Sequence, residues 1–133
     1  MLNKKTRLLV VDDDNINMFI VKKIIEKSGF EIDLVFKSNG LQALDYLKDL
    51  ISTDKALPNL MLTDINMPLM DGWELIDNCL NLNILGQTNT YVLSSSVYEE
   101  DLEKIKMYPD LKGFISKPLS FEILGRLMQE ISV

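Results

Sequence analysis

Two kinds of hydrophobic pattern alternate along this chain, and they predict different secondary structures. Short apolar runs bounded by turn-forming residues are typical of buried β-strands, whereas apolar residues spaced three or four apart are typical of amphipathic helices. The predicted strands cover residues 7–11, 32–36, 59–63, 91–93 and 113–116. A helical segment follows each strand, so strand and helix alternate five times along the chain.

The predicted helices begin near residues 15, 40, 72, 98 and 121. Gly29 is expected to close the first helix. The apolar residues expected on the inward faces are, in chain order, Ile16, Phe19, Ile20, Ile24 and Ile25; Leu41, Leu44, Leu47 and Ile51; Leu75, Ile76, Cys79 and Leu80; and Phe121, Leu124, Leu127, Met128 and Ile131.

Repeated strand–helix units with right-handed crossovers form a parallel sheet that is covered by helices on both faces. We therefore predict a doubly wound α/β fold of the flavodoxin-like (βα)5 type, with the strand order 2-1-3-4-5. In this order the first and third strands are neighbours at the point where ligands bind, at the carboxyl ends of the strands. A length of 133 residues fits a single domain over residues 1–133, with no output domain.

Composition narrows the chemistry that we expect. The net charge of −6 argues against binding nucleic acid through phosphate contacts. The sequence contains no histidine, which excludes histidine-ligated metals and histidine-based catalysis. The single cysteine, Cys79, lies in an apolar helical setting and is expected in the core. The apolar run after the basic amino end is too short for a signal peptide or membrane span, so we expect a cytoplasmic protein without a membrane partner.

Polar side chains follow four of the five predicted strands. In chain order they are Asp12, Asp13 and Asp14 after the first strand, Asp64 after the third, Ser94 after the fourth and Lys117 after the fifth. The carboxyl ends of parallel strands meet at one edge of the sheet, so these side chains are expected to converge. Asp14 also fits the amino-terminal cap of the first helix, and we leave it out of the site.

Converging carboxylates need a cation, because a pair about 4 Å apart repels by roughly 4 kcal/mol at an effective dielectric of about 20. Oxygen ligands without histidine or cysteine favour a hard cation, and a shallow site that keeps several waters suits Mg²⁺ better than Ca²⁺. With Mg²⁺ and Lys117 supplying positive charge and Ser94 a hydrogen bond, Asp64 could act as a nucleophile and accept a phosphoryl group.

Four segments of the chain carry these residues, namely Leu9-Val10-Val11-Asp12-Asp13, Asp64-Ile65-Asn66-Met67-Pro68 with Asp71-Gly72, Leu93-Ser94-Ser95, and Lys117-Pro118. Together they resemble the receiver domain of two-component response regulators, and the resemblance covers nearly the whole chain. Each motif is weak by itself, but four in the family's order and spacing are highly specific.

The resemblance implies that Asp64 accepts a phosphoryl group from a histidine kinase or a histidine phosphotransfer protein. Lys117 would pair with the phosphoryl group, and its peptide bond to Pro118 would be cis. The Mg²⁺ ligands that it implies are Asp13, Asp64, the backbone carbonyl of Asn66 and, mostly through water, Asp12.

The resemblance also implies a conformational switch. Ser94 matches the family's switch hydroxyl and Phe114 its switch aromatic, and phosphorylation would shift the population between two packings of the fourth and fifth strands and the helix between them. A downstream protein would bind at the fourth helix, fifth strand and fifth helix of a monomer or a phosphorylation-dependent dimer. Asn66 and Ser96 would tune how fast water removes the phosphoryl group. Such a domain only assists its own phosphorylation and dephosphorylation and is otherwise not an enzyme.

Three alternatives stay open at this point. A haloacid-dehalogenase-like phosphatase would use Asp12 as its nucleophile, although the acidic pair that those enzymes need does not follow Lys117. A flavodoxin-like FMN binder would share the fold, but three acids after the first strand would repel its phosphate. A receiver could also work unphosphorylated, as a docking module.

The chain departs from the receiver pattern shortly before the fifth strand. Receivers commonly carry Gly-Ala there, whereas this chain has Tyr108-Pro109-Asp110-Leu111-Lys112. Pro109 must end the fourth helix early, because a proline lacks the backbone N–H that continues a helix. This departure affects the expected output surface and leaves the expected phosphorylation site unchanged.

Overall fold

A computed structural model of the chain describes residues 5–95 and 98–131. Its strands are β1 (Thr6–Val11), β2 (Ile32–Lys37), β3 (Leu60–Thr63), β4 (Asn89–Ser94) and β5 (Leu111–Ser116). Its α-helices are α1 (Asn15–Ser28), α2 (Gly40–Ser52), α3 (Gly72–Asn81), α4 (Glu99–Lys106) and α5 (Phe121–Ile131), and a short 3-10 turn covers Leu85–Gln87. The strands pair in parallel in the order β2-β1-β3-β4-β5, which confirms the predicted α/β fold and strand order.

The central strand β3 is buried on both faces and connects two apolar clusters. Successive side chains of a strand point to opposite faces of the sheet. Leu60 and Leu62 pack in the cluster that contains Val21 of α1 and Leu127 of α5. Met61 packs in the other cluster, with residues of α2 and α3. Full burial of each such side chain stabilises the fold by about 1.5–3 kcal/mol, so the sheet is a firm base for residues at its edge.

The predicted inward faces of the helices are confirmed at their centres and wrong at several flanking positions. Leu44, Leu47, Leu75, Ile76, Cys79, Leu124 and Leu127 are buried. The side chains that are instead between 44% and 73% exposed are Ile16, Phe19, Leu41, Ile51, Leu80 and Phe121. Hydrophobic periodicity gives the average direction of a helix face, whereas the residues that reach the sheet depend on tertiary packing. In α1 the buried positions are Asn17 and Val21, which turns Ile16 and Phe19 outward.

The helix ends follow the sequence signals. The Asp14 side chain caps α1 by accepting hydrogen bonds from the amides of Ile16 (3.0 Å) and Asn17 (3.3 Å), and Gly29 ends the helix in the left-handed conformation at φ 80°. Helix α4 stops at Lys106, three residues before Pro109, as predicted. No helix in residues 5–95 and 98–131 is both long and apolar enough to cross a bilayer.

Two glycines allow the loop between β3 and α3 to lie close to its neighbours. A Cβ atom on Gly40 would lie 2.6 Å from the Met70 carbonyl oxygen, which accepts a hydrogen bond from the Gly40 amide (3.0 Å). A Cβ atom on Gly72 would overlap the Asp64 carbonyl oxygen and lie 2.8 Å from the Ile65 Cα. The start of α3 is therefore packed directly against the backbone of Asp64, the residue that follows β3.

Candidate functional site

The sheet positions the backbone of the candidate site. Beyond the last paired residues, the amides of Asp12, Asp64 and Lys117 each donate one more hydrogen bond to a neighbouring strand. Their acceptors are the last carbonyls of β2 (3.0 Å), β1 (2.9 Å) and β4 (3.1 Å), respectively. Each side chain therefore leaves the sheet at a fixed point of the same edge, and the predicted convergence of these residues is found in the structure.

Lys117 lies between two buried acids at this edge. Its Nζ is 2.7 Å from Asp12 Oδ2 and 2.9 Å from Asp64 Oδ2, and a longer contact of 4.0 Å reaches Asp14 Oδ2. Burial would lower the pKa of Lys117, but the hydrogen bonds and charges of Asp12 and Asp64 outweigh it and raise the pKa above its ordinary value. The lysine therefore stays a cation that compensates both acids.

Asp12 is 1% exposed. Burial raises the pKa of its carboxyl group, and the hydrogen bond from Lys117 opposes that shift. Its Oδ2 also accepts a hydrogen bond from Asn17 Nδ2 (2.7 Å), and its Oδ1 accepts one from the Asp14 amide (3.1 Å). Both oxygens of this carboxylate are thus engaged.

The Asp64 carboxylate is oriented by its own loop as well as by the lysine. Its Oδ1 accepts hydrogen bonds from the amides of Ile65 (2.7 Å) and Asn66 (3.1 Å). Its Oδ2 accepts the hydrogen bond from Lys117 (2.9 Å). Backbone donors on one oxygen and an ammonium on the other fix the direction of the carboxylate of Asp64, which is 6% exposed.

The acids form a group with the composition of a hard-cation site. Asp12, Asp13 and Asp64 each offer a carboxylate oxygen, and these oxygens lie within 4.8 Å of one another. Three carboxylates and one lysine leave a formal charge of −2, which a divalent cation would balance. Asp13 is exposed, so the group opens to solvent and a bound cation could keep some of its water. The donor set therefore fits Mg²⁺.

The structure adds Asn17 to the site, a residue that the sequence reasoning did not select. Asn17 is 3% exposed and contacts Asp12 through its side-chain amide. Its Oδ1 is buried without a hydrogen-bond partner in the described part of the chain. The sequence does contain an indication of this position. Asn17 lies four residues before Val21, and this helical spacing places both side chains on the same face of the helix. A polar residue at an inward position next to an acidic cluster could have been noticed.

The remaining predicted residues lie around this centre. Ser94 is 2% exposed at the end of β4, and Phe114 on β5 is 36% exposed. The Lys117–Pro118 peptide bond is cis. Asn66 is exposed beside Asp64, and Ser96 lies outside the described residues.

A second group of side chains, here called the α4 clasp, connects α3 with α4 and the segment after it. Its members are Trp73, Asp77, Asp101, Lys104 and Tyr108. The indole N–H of Trp73 donates to Asp101 Oδ1 (3.3 Å), and Lys104 Nζ lies 4.9 Å from the centre of the indole. The Tyr108 ring stacks on Trp73 with centroids 5.9 Å apart, and its hydroxyl donates to Asp77 (2.5 Å). Burial, the hydrogen bond to Asp77 and the charge of Asp77 raise the pKa of Tyr108 to about 12.

The comparisons with known proteins agree with this geometry. A family model described as the response regulator receiver domain matches residues 8–129. The probable methanogenesis regulatory protein FilR2 of Methanothrix harundinacea is 30% identical over 125 residues, which cover 93% of this chain and 79% of that protein. The polar-differentiation response regulator DivK of Brucella anthropi is 28% identical over 113 residues, which cover 85% of each chain.

A solved structure extends the similarity to the backbone. The two component response regulator from Cytophaga hutchinsonii superposes with a TM-score of 0.86, is 28% identical, and covers 98% of this chain and 98% of its own. The similarity therefore includes the sheet edge that carries the acids and the lysine.

Proposed function

Because this chain belongs to the response regulator receiver family of two-component signalling, we propose that Asp64 accepts a phosphoryl group from a phosphohistidine of a partner protein. Receiver domains are signalling modules and not classical enzymes. The observation that supports Asp64 is the shared lysine, since Lys117 Nζ is 2.9 Å from its Oδ2 and 2.7 Å from Oδ2 of Asp12. The donor is a histidine kinase or a histidine phosphotransfer protein, the proteins with which receiver domains partner.

In the transfer, a carboxylate oxygen of Asp64 forms a bond to phosphorus while the bond from phosphorus to the partner's imidazole nitrogen breaks. The imidazole leaves with the electron pair and takes up a proton. Phosphoryl transfer depends mainly on positioning and on positive charge around the equatorial oxygens. Lys117 supplies one such charge from the position that follows β5, and the amides of Ile65 and Asn66 hold the carboxylate in place for attack.

Receiver domains generally bind Mg²⁺ at an acidic pocket, and the oxygens of Asp12, Asp13 and Asp64 within 4.8 Å of one another fit that role here. We propose that Asp13, Asp64 and the Asn66 backbone carbonyl hold Mg²⁺ directly and that Asp12 holds it through water. When bound, the ion supplies positive charge that balances the phosphoryl group and the carboxylates. Asp14 stays outside this set, because its carboxylate caps α1.

We propose that phosphorylation then shifts the domain toward a second packing. Lys117 turns to the phosphoryl group, the Ser94 hydroxyl moves toward a phosphoryl oxygen, and the Phe114 ring turns inward. Three observations support this assignment: Ser94 is buried at the end of β4, Phe114 is partly exposed on the neighbouring strand, and α4 has no fully buried residue. A small change in preference between two packings is enough to signal.

The changed surface formed by α4, β5 and α5 would bind a downstream protein. The acidic first turn of α4, with Glu99, Glu100 and Asp101, lies on this surface. Phosphorylation-dependent dimerisation through the same surface is an alternative output of the same switch.

Hydrogen bonding around Asp12 favours this function over a phosphatase of the haloacid-dehalogenase type. That activity would need Asp12 as nucleophile. Here the Asp12 side chain is 0% exposed, whereas that of Asp64 is 9% exposed. The Asp12 oxygens accept hydrogen bonds from Lys117, Asn17 and the Asp14 amide. Steady turnover of phosphomonoesters would contradict the receiver assignment.

The decisive test is phosphorylation by acetyl phosphate in the presence of Mg²⁺, followed by mass spectrometry of the intact protein. The wild-type chain should gain one phosphoryl group, and Asp64→Asn should gain none. The matched control is Asp33→Asn, which changes an exposed acid on β2 and should be labelled like the wild type. Equal labelling of Asp64→Asn and the wild type would refute the assignment of Asp64.

The lifetime of the phosphorylated form tests a finer part of the proposal. Asn66 is small, polar and exposed, so we expect water to reach the phosphoryl group without a steric shield. Ser96 is assigned the same tuning role from the sequence. A lifetime of many hours, measured by the decay of the phosphorylated mass, would contradict this expectation.

A further inference from the structure

Asn17 is the least explained polar residue near the candidate site. It lies in the first turn of α1, is 3% exposed, and its Nδ2 is 2.7 Å from Asp12 Oδ2. A carboxylate can only accept in this contact, so the nitrogen of the amide must face Asp12 and the oxygen must face away. The orientation of the side chain is therefore determined by chemistry.

The contact with Asn17 becomes more important when Lys117 moves. In the structure Asp12 Oδ2 is held by both Lys117 Nζ (2.7 Å) and Asn17 Nδ2 (2.7 Å). If Lys117 turns to a phosphoryl group on Asp64, Asp12 loses its cationic donor. Within the described residues, Asn17 is then the side chain that still fixes the direction of Asp12.

The oxygen of the same amide supplies the second observation. Asn17 Oδ1 is buried and lacks a hydrogen-bond partner in the described part of the chain. Buried polar atoms are normally satisfied by protein or by ordered water. Asn17 also lines an open cavity of about 250 Å³, large enough for several waters. The other residues of its lining are Asp14, Ile16, Ile20, Ser95, Lys117 and Pro118.

We propose that Asn17 is a positioning residue of the metal site. Its Nδ2 orients Asp12 toward the cation, and its buried Oδ1 accepts a hydrogen bond from an ordered water next to the site. This inference rests on the Mg²⁺ site proposed above and assigns a function to a residue outside the acidic cluster. Residues that orient metal ligands typically change metal affinity by about 10–100-fold when they are replaced.

The test is direct Mg²⁺ binding to the unphosphorylated full chain, measured by isothermal titration calorimetry. Asn17→Ala removes both functions of the amide, and Asn17→Leu removes them while filling a similar volume. We expect either variant to bind Mg²⁺ about 10–100-fold more weakly than the wild type. The matched control is Asn15→Ala, which removes an exposed amide from the same helix and should leave the dissociation constant unchanged.

Thermal unfolding in the presence of EDTA separates positioning from simple packing. A packing role would lower the melting temperature of Asn17→Ala without changing the Mg²⁺ dissociation constant. That result, or unchanged Mg²⁺ binding by Asn17→Leu, would overturn the inference. If the proposed Mg²⁺ site itself does not exist, the result is different. The wild-type chain would then either bind no Mg²⁺ or bind it as tightly as the Asp13→Asn variant does.

Discussion

The acidic edge of the sheet and the α4 clasp stabilise the molecule in different ways. At the edge, Asp12, Asp64 and Lys117 are almost fully buried, and their backbones continue the hydrogen-bonding pattern of the sheet. Helix α4 has no fully buried residue, and side chains such as Trp73 and Tyr108 connect it to α3. The edge therefore holds buried charged side chains on a backbone that is hydrogen-bonded to the sheet. Helix α4 is held in place by a few side-chain contacts near the surface.

This difference indicates where the molecule can change shape. Elements with few buried apolar contacts open at lower free energy than core strands. On the function proposed above, we therefore expect a change of charge at the edge to alter the position of α4 more readily than that of β1 or β3. Gly72 and Trp73 are adjacent in sequence, one against the Asp64 backbone and the other in the clasp, so they directly connect the two regions.

Removing the positive charge of Lys117 should have the largest effect on stability, because it leaves Asp12 and Asp64 buried without a compensating charge. We expect Lys117→Met to lower the free energy of unfolding by about 3–5 kcal/mol, measured by urea denaturation in EDTA. Mg²⁺ should restore part of the loss. Lys112→Met, which changes an exposed lysine on β5, is the control. Equal losses for the two variants would mean that charge compensation at the edge contributes little.

Gly72→Ala tests the connection between the two regions. The added Cβ would overlap the Asp64 carbonyl oxygen, so the loop or α3 must shift, at a cost of up to about 3 kcal/mol in the free energy of unfolding. Gly125→Ala is the control, because its Cβ would meet no atom within 4 Å. That variant should be stabilised by about 0.5–1 kcal/mol. A neutral Gly72→Ala would contradict the tight packing described here.

Trp73→Phe weakens the clasp while keeping an aromatic ring. It removes the hydrogen bond to Asp101 and part of the attraction to Lys104, for an expected loss of about 1–2 kcal/mol. Amide hydrogen exchange should become faster in α4 and stay unchanged in α2. Tyr91→Phe removes a tyrosine hydroxyl that donates to Glu130 on α5, and should leave exchange in α4 unchanged. Unchanged exchange in α4 of Trp73→Phe would mean that the clasp does not hold the helix.

Tyr108→Phe should have the smallest effect, roughly 0.5–1 kcal/mol at neutral pH, because only the hydrogen bond to Asp77 is lost. The pKa of Tyr108 is raised from 10.0 to about 12 in the folded protein. A group with a raised pKa stabilises the fold below its unfolded pKa and loses that contribution as pH rises through the folded value. The stability difference between variant and wild type should therefore be constant up to pH 10 and then shrink. A difference that grows above this pH would contradict the assignment.

Most of the fold was predictable because pattern and topology rules agree in this chain. Apolar runs, such as the one that precedes Asp64, predicted the strands. Their alternation with helices predicted that the sheet is parallel. Several predicted strand ends were short by one or two residues, since β4 and β5 begin two residues earlier than predicted, at Asn89 and Leu111. The start of β3 lies one residue later than predicted, at Leu60. The 3-10 turn at Leu85–Gln87 has no periodicity and was not predicted.

The site was predictable where it follows from the sheet and not where it follows from helix rotation. Asp12, Asp64 and Lys117 lie at strand ends, so their convergence follows from strand order. Whether Asn17 lies at the site depends on which face of α1 packs against the sheet. The apolar periodicity of the helix predicted that Ile16 would be on that face. The α4 clasp depends on contacts between residues 28 to 35 positions apart, for example Trp73 with Asp101 and Tyr108, which no local pattern contains.

The position of Trp73 gives the protein a built-in optical probe. It is the single tryptophan in the sequence, and its indole touches a lysine ammonium, an aspartate and a tyrosine ring that all belong to α4 or the segment after it. Selective excitation of indole therefore reports the environment of one helix, without a label and without interference from the tyrosines. Movement of α4 by one side-chain diameter would remove the cation from the ring face, so the emission of this one residue can be used to follow the helix in real time.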